Sequence, residues 1–328
     1  VLKCVELIVK IDPDRDIDTV LDTYDQKRFD SEDFKILSSI RTNQKKFDKA
    51  IQAMEQAILL DTAKLDYKLE LARIFIEQGD FNRAEFEIIN NGLLESSISF
   101  HARYMFCRLA RLKKNRHLSL QRFRDFNALY PQNFNVKREL VFELTQLSKF
   151  LEAEDILREE LNENPDNSEA FKLLIKSYLT QQDFNIVIKL LDDYERVHSS
   201  LIDSEIISLR IRALREMGEY GTCLDLITES LTQTPDSYTL NMEMALLNRS
   251  LGYLNFFERY SYNTKALDLH KKMLLLYPQY NRFINQEIIQ DLILLNKFNE
   301  ALDLCNDCIT KDPAQINYYI LKFKILNT

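Results

Sequence analysis

The sequence predicts an all-α solenoid of stacked helix pairs, and three observations predict it. A motif recurs along the 328 residues at a spacing of 34 to 36, apart from one larger gap. Each copy holds two segments of about a dozen residues whose apolar positions follow the helical period. Only five glycines and six prolines occur, so turns are few and short, which argues against a β-sandwich or a glycine-rich nucleotide fold. A chain of this length outgrows one ordinary core, whereas a stacked array extends its core repeat by repeat.

Val1 to Pro13 reads as the second helix of a unit whose first helix is missing, and residues 1–30 as that truncated repeat with an extra helix. Eight full units follow, beginning near Ser31, Leu65, Phe100, Phe134, Ser168, Ser204, Tyr238 and Arg282. An aromatic residue with a small one three places on marks the start of a second helix: Phe47 and Ala50, Phe81 and Ala84, Phe150 and Ala153, Tyr220 and Cys223, Phe298 and Ala301, with Ser119 in the small place of the third unit. A small side chain there lets two helices approach closely. Gly79 and Gly218 lie in the turn between helices, as expected at a helix C-terminus. Pro131, Pro165, Pro235, Pro278 and Pro313 close their units, because proline cannot continue a helix. Ile316 to Leu326 reads as a first helix without its second. Both ends are expected to continue into a longer protein or to be covered by a partner, since solenoids need polar caps.

In these motifs the sequence resembles the tetratricopeptide repeat family over nearly its whole length. The seventh place of the first helix carries Leu37, Leu71, Phe106, Leu140, Leu174 and Met244, and the family's proline place is filled in five of eight units. The family's tryptophan is absent, and its first-helix glycine is replaced by Ser38, Ala72, Cys107, Val141, Ile175, Ile211, Ala245 and Ile289, a change expected to widen the gap between paired helices. The resemblance implies a right-handed superhelical solenoid over residues 31–328, with about eight repeats and a partial ninth, working as a scaffold for other proteins. Many chaperone-binding members hold the C-termini of Hsp70 or Hsp90 in a carboxylate clamp that needs Lys and Asn four apart on one first helix. No unit has that pair: Lys35 is followed by Ser39, Lys172 by Lys176 and Arg138 by Phe142.

The net charge of −8 and pI of about 5.3 repel nucleic acid and do not favour an anionic membrane. No apolar run approaches the roughly 18 residues of a membrane span. Five cysteines without disulfide-like spacing fit a reducing compartment, and a cytoplasmic protein is expected. Cys305 and Cys308 form a C-x-x-C, but no second pair or neighbouring histidine completes a zinc site, and a buried core role is expected. His101, His117, His198 and His270 have no metal-ligand spacing, and no nucleotide, metalloprotease or nucleophile-elbow motif occurs. Neither an enzyme nor a cofactor is expected here. The alternatives are a regulatory or substrate-recruiting domain of a larger enzyme, and an RNA-binding repeat protein, which the acidity disfavours.

Two candidate contact regions stand out, the first from the resemblance and the second from the repeat lengths. In this family the fifth, ninth and twelfth places of the first helices line the groove. Of 24 such positions ten are basic: Lys35, Arg73, Arg108, Arg111, Arg138, Lys172, Lys176, Arg212, Arg215 and Arg249. None is acidic, where chance would place about three of each sign from 43 basic and 51 acidic residues in 328. An acidic or phosphorylated peptide or helix is the partner such a groove would take, unless these cations pair with nearby carboxylates such as Glu169 and Glu205. The second region is an insertion of about nine residues in the seventh unit, which brings Phe256, Phe257, Tyr260 and Tyr262 together. It is either a binding element or a helix longer by about two and a half turns that packs on its neighbours.

Overall fold

The computed structural model describes residues 29–96, 98–198 and 202–327. The truncated repeat expected before residue 29 lies outside the described residues. Those residues form eight helix pairs and a final single helix, with no strand among them. The pairs are α1 (Ser31–Asn43) with α2 (Phe47–Leu60), α3 (Leu65–Gln78) with α4 (Phe81–Asn90), and α5 (Ser99–Leu112) with α6 (Arg116–Leu129). Next come α7 (Phe134–Gln146) with α8 (Phe150–Glu163), α9 (Ser168–Gln181) with α10 (Phe184–Val197), and α11 (Ser204–Met217) with α12 (Tyr220–Gln233). The last pairs are α13 (Tyr238–Leu254) with α14 (Arg259–Leu276) and α15 (Asn281–Leu294) with α16 (Phe298–Lys311), followed by α17 (Ile316–Leu326). The first helices begin within one residue of the expected unit starts. The chain divides into two compact units, with the boundary inside α8 between Ile156 and Leu157.

Local chemistry sets the helix ends. Side-chain oxygens of Asp30, Asp80, Asn115, Asn133, Asn167, Asp203 and Ser237 cap the helices that follow them, satisfying amides that have no intrahelical partner. Seven of the eight first helices stop in one way. A residue of positive φ (Lys45, Gly79, Lys114, Ser148, Gln182, Gly218 or Asn296) follows the helix. The next amide then donates back to the carbonyl five residues earlier at 2.8–3.0 Å, as from Asp80 to Phe75. Gly79 and Gly218 take this conformation without steric cost, and the other five residues bear a modest one. The exception is the seventh repeat. No residue there turns left-handed, α13 runs on to 17 residues, and its partner α14 reaches 18.

Outside the seventh repeat, the eighth place of the first helix and the fourth residue of the second are both buried, and in the first and sixth repeats they are bonded to each other. Ser38, Ala72, Ile175, Ile211, Ala245 and Ile289 are fully buried, as are Ala50, Ala84, Ser119, Ala153, Val187, Cys223 and Ala301. The Ser38 hydroxyl donates to the Ala50 carbonyl at 2.7 Å, and the Cys223 thiol to the Ile211 carbonyl at 3.5 Å. In the N-terminal unit the core gathers Tyr67, Leu71, Phe75, Ile88 and Leu93, the last supplied by a 3₁₀ turn after the short α4. In the C-terminal unit Ile284, Ile288, Leu292, Ala301, Cys305 and Cys308 form one cluster. Both cysteines of the C-x-x-C are thus core residues, and the Cys305 thiol donates to the Tyr318 carbonyl at 3.0 Å.

Candidate functional site

The basic residues of the first helices fall into two structural classes. At the twelfth place the arginines turn toward the next repeat. In the N-terminal unit, Arg111 on α5 donates to Glu143 at 2.5 Å and Glu139 at 2.8 Å, both on α7, and its guanidinium lies against the Phe123 and Phe142 rings. In the C-terminal unit, Arg215 on α11 reaches Glu243 on α13 at 3.3 Å. Arg249 on α13 reaches Glu287 at 2.7 Å and Asp291 at 2.6 Å on α15. The acceptors hold fixed places in the following repeat, the sixth (Glu139, Glu243, Glu287) and the tenth (Glu143, Asp291). Each clamp therefore ties one first helix to the next.

The clamp arginines range from half-buried, at Arg111 and Arg215, to buried, at Arg249. Arg249 is 9% exposed, and Asp291 is fully buried, where it also meets Nδ1 of the buried His270 at 2.6 Å. Burial alone would depress the Arg249 pKa, but Asp291 and Glu287 more than offset it and the value rises. Arg111 behaves alike beside Glu139 and Glu143. Glu243 goes the other way: desolvation raises its pKa despite Arg215 and Arg212. A guanidinium engaged by acids of the next repeat has fewer donors left for a ligand.

The fifth-place cations are intermediate. Lys172 on α9 binds Asp203 and Glu205 of the next repeat, and Lys35 pairs with Glu32 on its own helix at 3.1 Å. Burial pushes the carboxyls of Asp203 and Glu205 up, and hydrogen bonds from Lys172, with Lys176 for Glu205, bring them below their ordinary values. Arg138 is half-buried on α7.

The ninth place differs. In the N-terminal unit, Arg73 and Arg108 sit on successive first helices and are exposed. Among the described residues, Arg73 pairs with Glu70 and Glu77 of its own helix. Arg108 stacks over the Tyr104 ring at 5.8 Å, and among the described residues no ion pair engages it. Phe142, 45% exposed, holds the ninth place of the following helix. A cleft of about 160 Å³ lies between α1 and α3, lined by Lys35, Ser39, Thr42, Asn43, Glu70 and Arg73. In the C-terminal unit, Lys176 and Arg212 hold the ninth place, both exposed, and Lys176 pairs with Glu205 at 2.7 Å.

Position within the first helix alone does not separate these classes in the sequence. The missed signal is periodic: where the twelfth place is Arg, the next repeat carries acids at its sixth or tenth place. Where it is Ile76 or Leu179, those places hold Met105 and Leu109, or Leu209 and Ala213.

The second candidate region is a hairpin tip. Asn255 to Glu258 join the elongated α13 and α14. Phe256 and Phe257 are 80% and 96% exposed, with Tyr253, Leu254 and Tyr260 exposed beside them and Tyr262 half-buried. The helices are longer, as one reading of the insertion required, yet its aromatics stand in solvent. The four histidines do not converge, and among the described residues no group of three or more His, Cys, Asp or Glu side chains is placed to hold a metal ion. No helix of the described residues is long and apolar enough to cross a membrane.

No family model matches the sequence, and no curated protein matches it. Solved structures do. A tetratricopeptide repeat protein from Parabacteroides merdae aligns with TM-score 0.57 and 12% identity, over 80% of this chain and 98% of that one. The human IFIT1 dimer with m7Gppp-AAAA aligns with TM-score 0.45 and 12% identity, over 92% of this chain and 77% of that one. PilF of Pseudomonas aeruginosa aligns with TM-score 0.42 and 15% identity, over 64% of this chain and 94% of that one. At these identities the likeness is one of fold, and the first of them carries it.

Proposed function

We propose, from a chain that has the tetratricopeptide-repeat fold, that it is a non-catalytic scaffold whose first-helix face holds an acidic or phosphorylated segment of another protein. The observation that carries the reading is the exposed ninth-place pair Arg73 and Arg108 on neighbouring helices of the N-terminal unit, with Arg108 outside any ion pair among the described residues. Guanidinium forks suit carboxylates and phosphates, and an exposed aromatic such as Phe142 supplies contact area beside them. The clamps Arg111, Arg215 and Arg249, engaged by acids of the next repeat, drop out of the contact set, and Lys176 and Arg212 remain as the equivalent ninth-place cations of the C-terminal unit. Buried thiols without a disulfide among the described residues agree with a cytoplasmic setting.

The test is an array of acidic, phosphoserine and basic peptides against wild type and the Arg73→Glu/Arg108→Glu variant. Wild type should retain acidic or phosphorylated peptides in a salt-sensitive way, because the Debye length shrinks from about 10 Å at 0.1 M to about 3 Å at 1 M salt. The variant should fold normally, since exposed charges contribute little to stability, and should lose that binding. A folded variant that binds as wild type does, or a wild type indifferent to acidic peptides, removes the reading.

A further inference from the structure

We propose that the aromatic tip of the α13–α14 hairpin docks into a cleft between α11 and α12 of a second copy of this chain. The tip is a convex knob. Phe256 and Phe257 contact each other at 6.0 Å between ring centres and almost nothing else, and Leu254, Tyr253 and Tyr260 extend the apolar surface around them. Clustered exposed aromatics of this kind mark interaction sites, because they bury much area at low entropic cost. The knob carries cations on its flanks: the Arg259 guanidinium lies 5.8 Å over the Tyr253 ring and the Lys265 ammonium 5.1 Å over the Tyr262 ring.

The same chain holds a matching cavity. A cleft of about 500 Å³ is walled by Ile206, Ile207, Leu214 and Leu226, with Glu195 and Glu229 among its lining residues. That volume falls in the range of about 300–1,000 Å³ typical of binding pockets. It lies where the repeat pattern fails. The seventh place, filled by the buried Leu37, Leu71, Leu140 and Leu174 in other repeats, is Arg210 here. Its guanidinium turns to Asp192 at 2.5 Å and Glu195 at 2.9 Å on α10. Three carboxylates against one guanidinium leave the cleft mouth net negative.

Knob and cleft thus complement each other in polarity, and in charge, since Arg259 and Lys265 outnumber Glu258 at the knob. That pairing of two features on one chain singles out a second copy as the occupant. Two different surfaces pair either head-to-tail, into an array that grows, or reciprocally about a two-fold axis, into a dimer, and both forms gain mass with concentration.

Sedimentation velocity tests this with two variants at exposed positions, Phe256→Ser/Phe257→Ser to remove the knob and Thr222→Lys to place a cation at the cleft, each checked for wild-type circular dichroism and Tm. Wild type should sediment as species of rising mass from low to high micromolar concentration, and each variant alone should stay monomeric. Mixed together, the variants should form a 1:1 complex that grows no further, because one intact knob and one intact cleft remain. A wild type monomeric throughout overturns the proposal. So does self-association that survives both variants, which would place the contact elsewhere, for instance on the exposed face of α17. A mixture that stays monomeric when wild type associates overturns it equally.

Discussion

Replacing Arg111 by Leu removes the clamp between the third and fourth repeats while leaving its acceptors in place. Glu143 then stays 2% exposed at its side chain with no cation beside it. Breaking a fully buried pair costs about 3–5 kcal/mol. Because the Arg111 side chain is 31% exposed and solvent already screens part of the pair, we expect about 2–4 kcal/mol here, in keeping with the weakness of open pairs. At about 2–4 °C per kcal/mol, the transition of the N-terminal unit should fall by roughly 5–15 °C. The sequence supplies its own control. Arg111→Ile, Glu139→Met and Glu143→Leu together copy the apolar set Ile76, Met105 and Leu109 of the preceding joint. That triple variant should return to wild-type stability or exceed it, since well-packed apolar residues replace buried ion sets at no net cost. Urea unfolding followed by circular dichroism reads both changes. If Arg111→Leu alone stays within about 0.5 kcal/mol of wild type, the range of ordinary surface substitutions, the arginine does not hold the joint. It would then belong with Arg108 on the open face.

Three further outcomes are expected. Ala153 is fully buried at the fourth place of α8, so Ala153→Phe should destabilise by roughly 1–3 kcal/mol through overpacking; an unchanged Tm would show that the site has room. Burial raises the Glu85 carboxyl, but hydrogen bonds from Lys113 and Arg122 more than offset this and hold its pKa below the ordinary 4.5. Its contribution is therefore complete above about pH 4.5 and lost as pH falls through the lower folded value, so the stability gap between wild type and Glu85→Gln should narrow on acidification. A gap that widens in acid would reverse the assignment. Burial pushes the Cys107 thiol up to about 12 and the Cys223 thiol up to about 11. Mass spectrometry should find both unmodified by iodoacetamide at neutral pH until urea is added, and prompt alkylation of the native protein would count against their burial.

The repeat boundaries were legible because each is written by strong local chemistry. Prolines stop second helices, a small residue marks where two helices touch, and glycine marks two of the left-handed stops. The other five stops were not legible, since Lys45, Lys114, Ser148, Gln182 and Asn296 take positive φ through the hydrogen bonds that close the turn, with no glycine to announce it. The long hairpin showed as extra length, but length alone does not decide whether its aromatics pack or protrude. The basic face was legible as composition and misleading as a surface. A charge at the twelfth place can face a ligand or the next repeat, and the choice rests on residues about 28 to 42 positions downstream, such as Glu139 for Arg111 and Asp291 for Arg249.

The clamps also bear on how a tandem array avoids misassembly. Repeats built to one plan can stack out of order, and interchanged neighbours are a characteristic failure of such chains. Here the joints are keyed. The third, sixth and seventh repeats present arginine forward, and the fourth, seventh and eighth present the acids that receive it. The second and fifth repeats present Ile76 and Leu179 to apolar successors. A repeat seated one place out of order would set a guanidinium against leucine, or strand a carboxylate in an apolar seam, at a cost of several kcal/mol. Grafting a repeat between positions should therefore fail unless its forward and backward residues travel with it, so the order of units is specified at their joints as well as by the chain that links them.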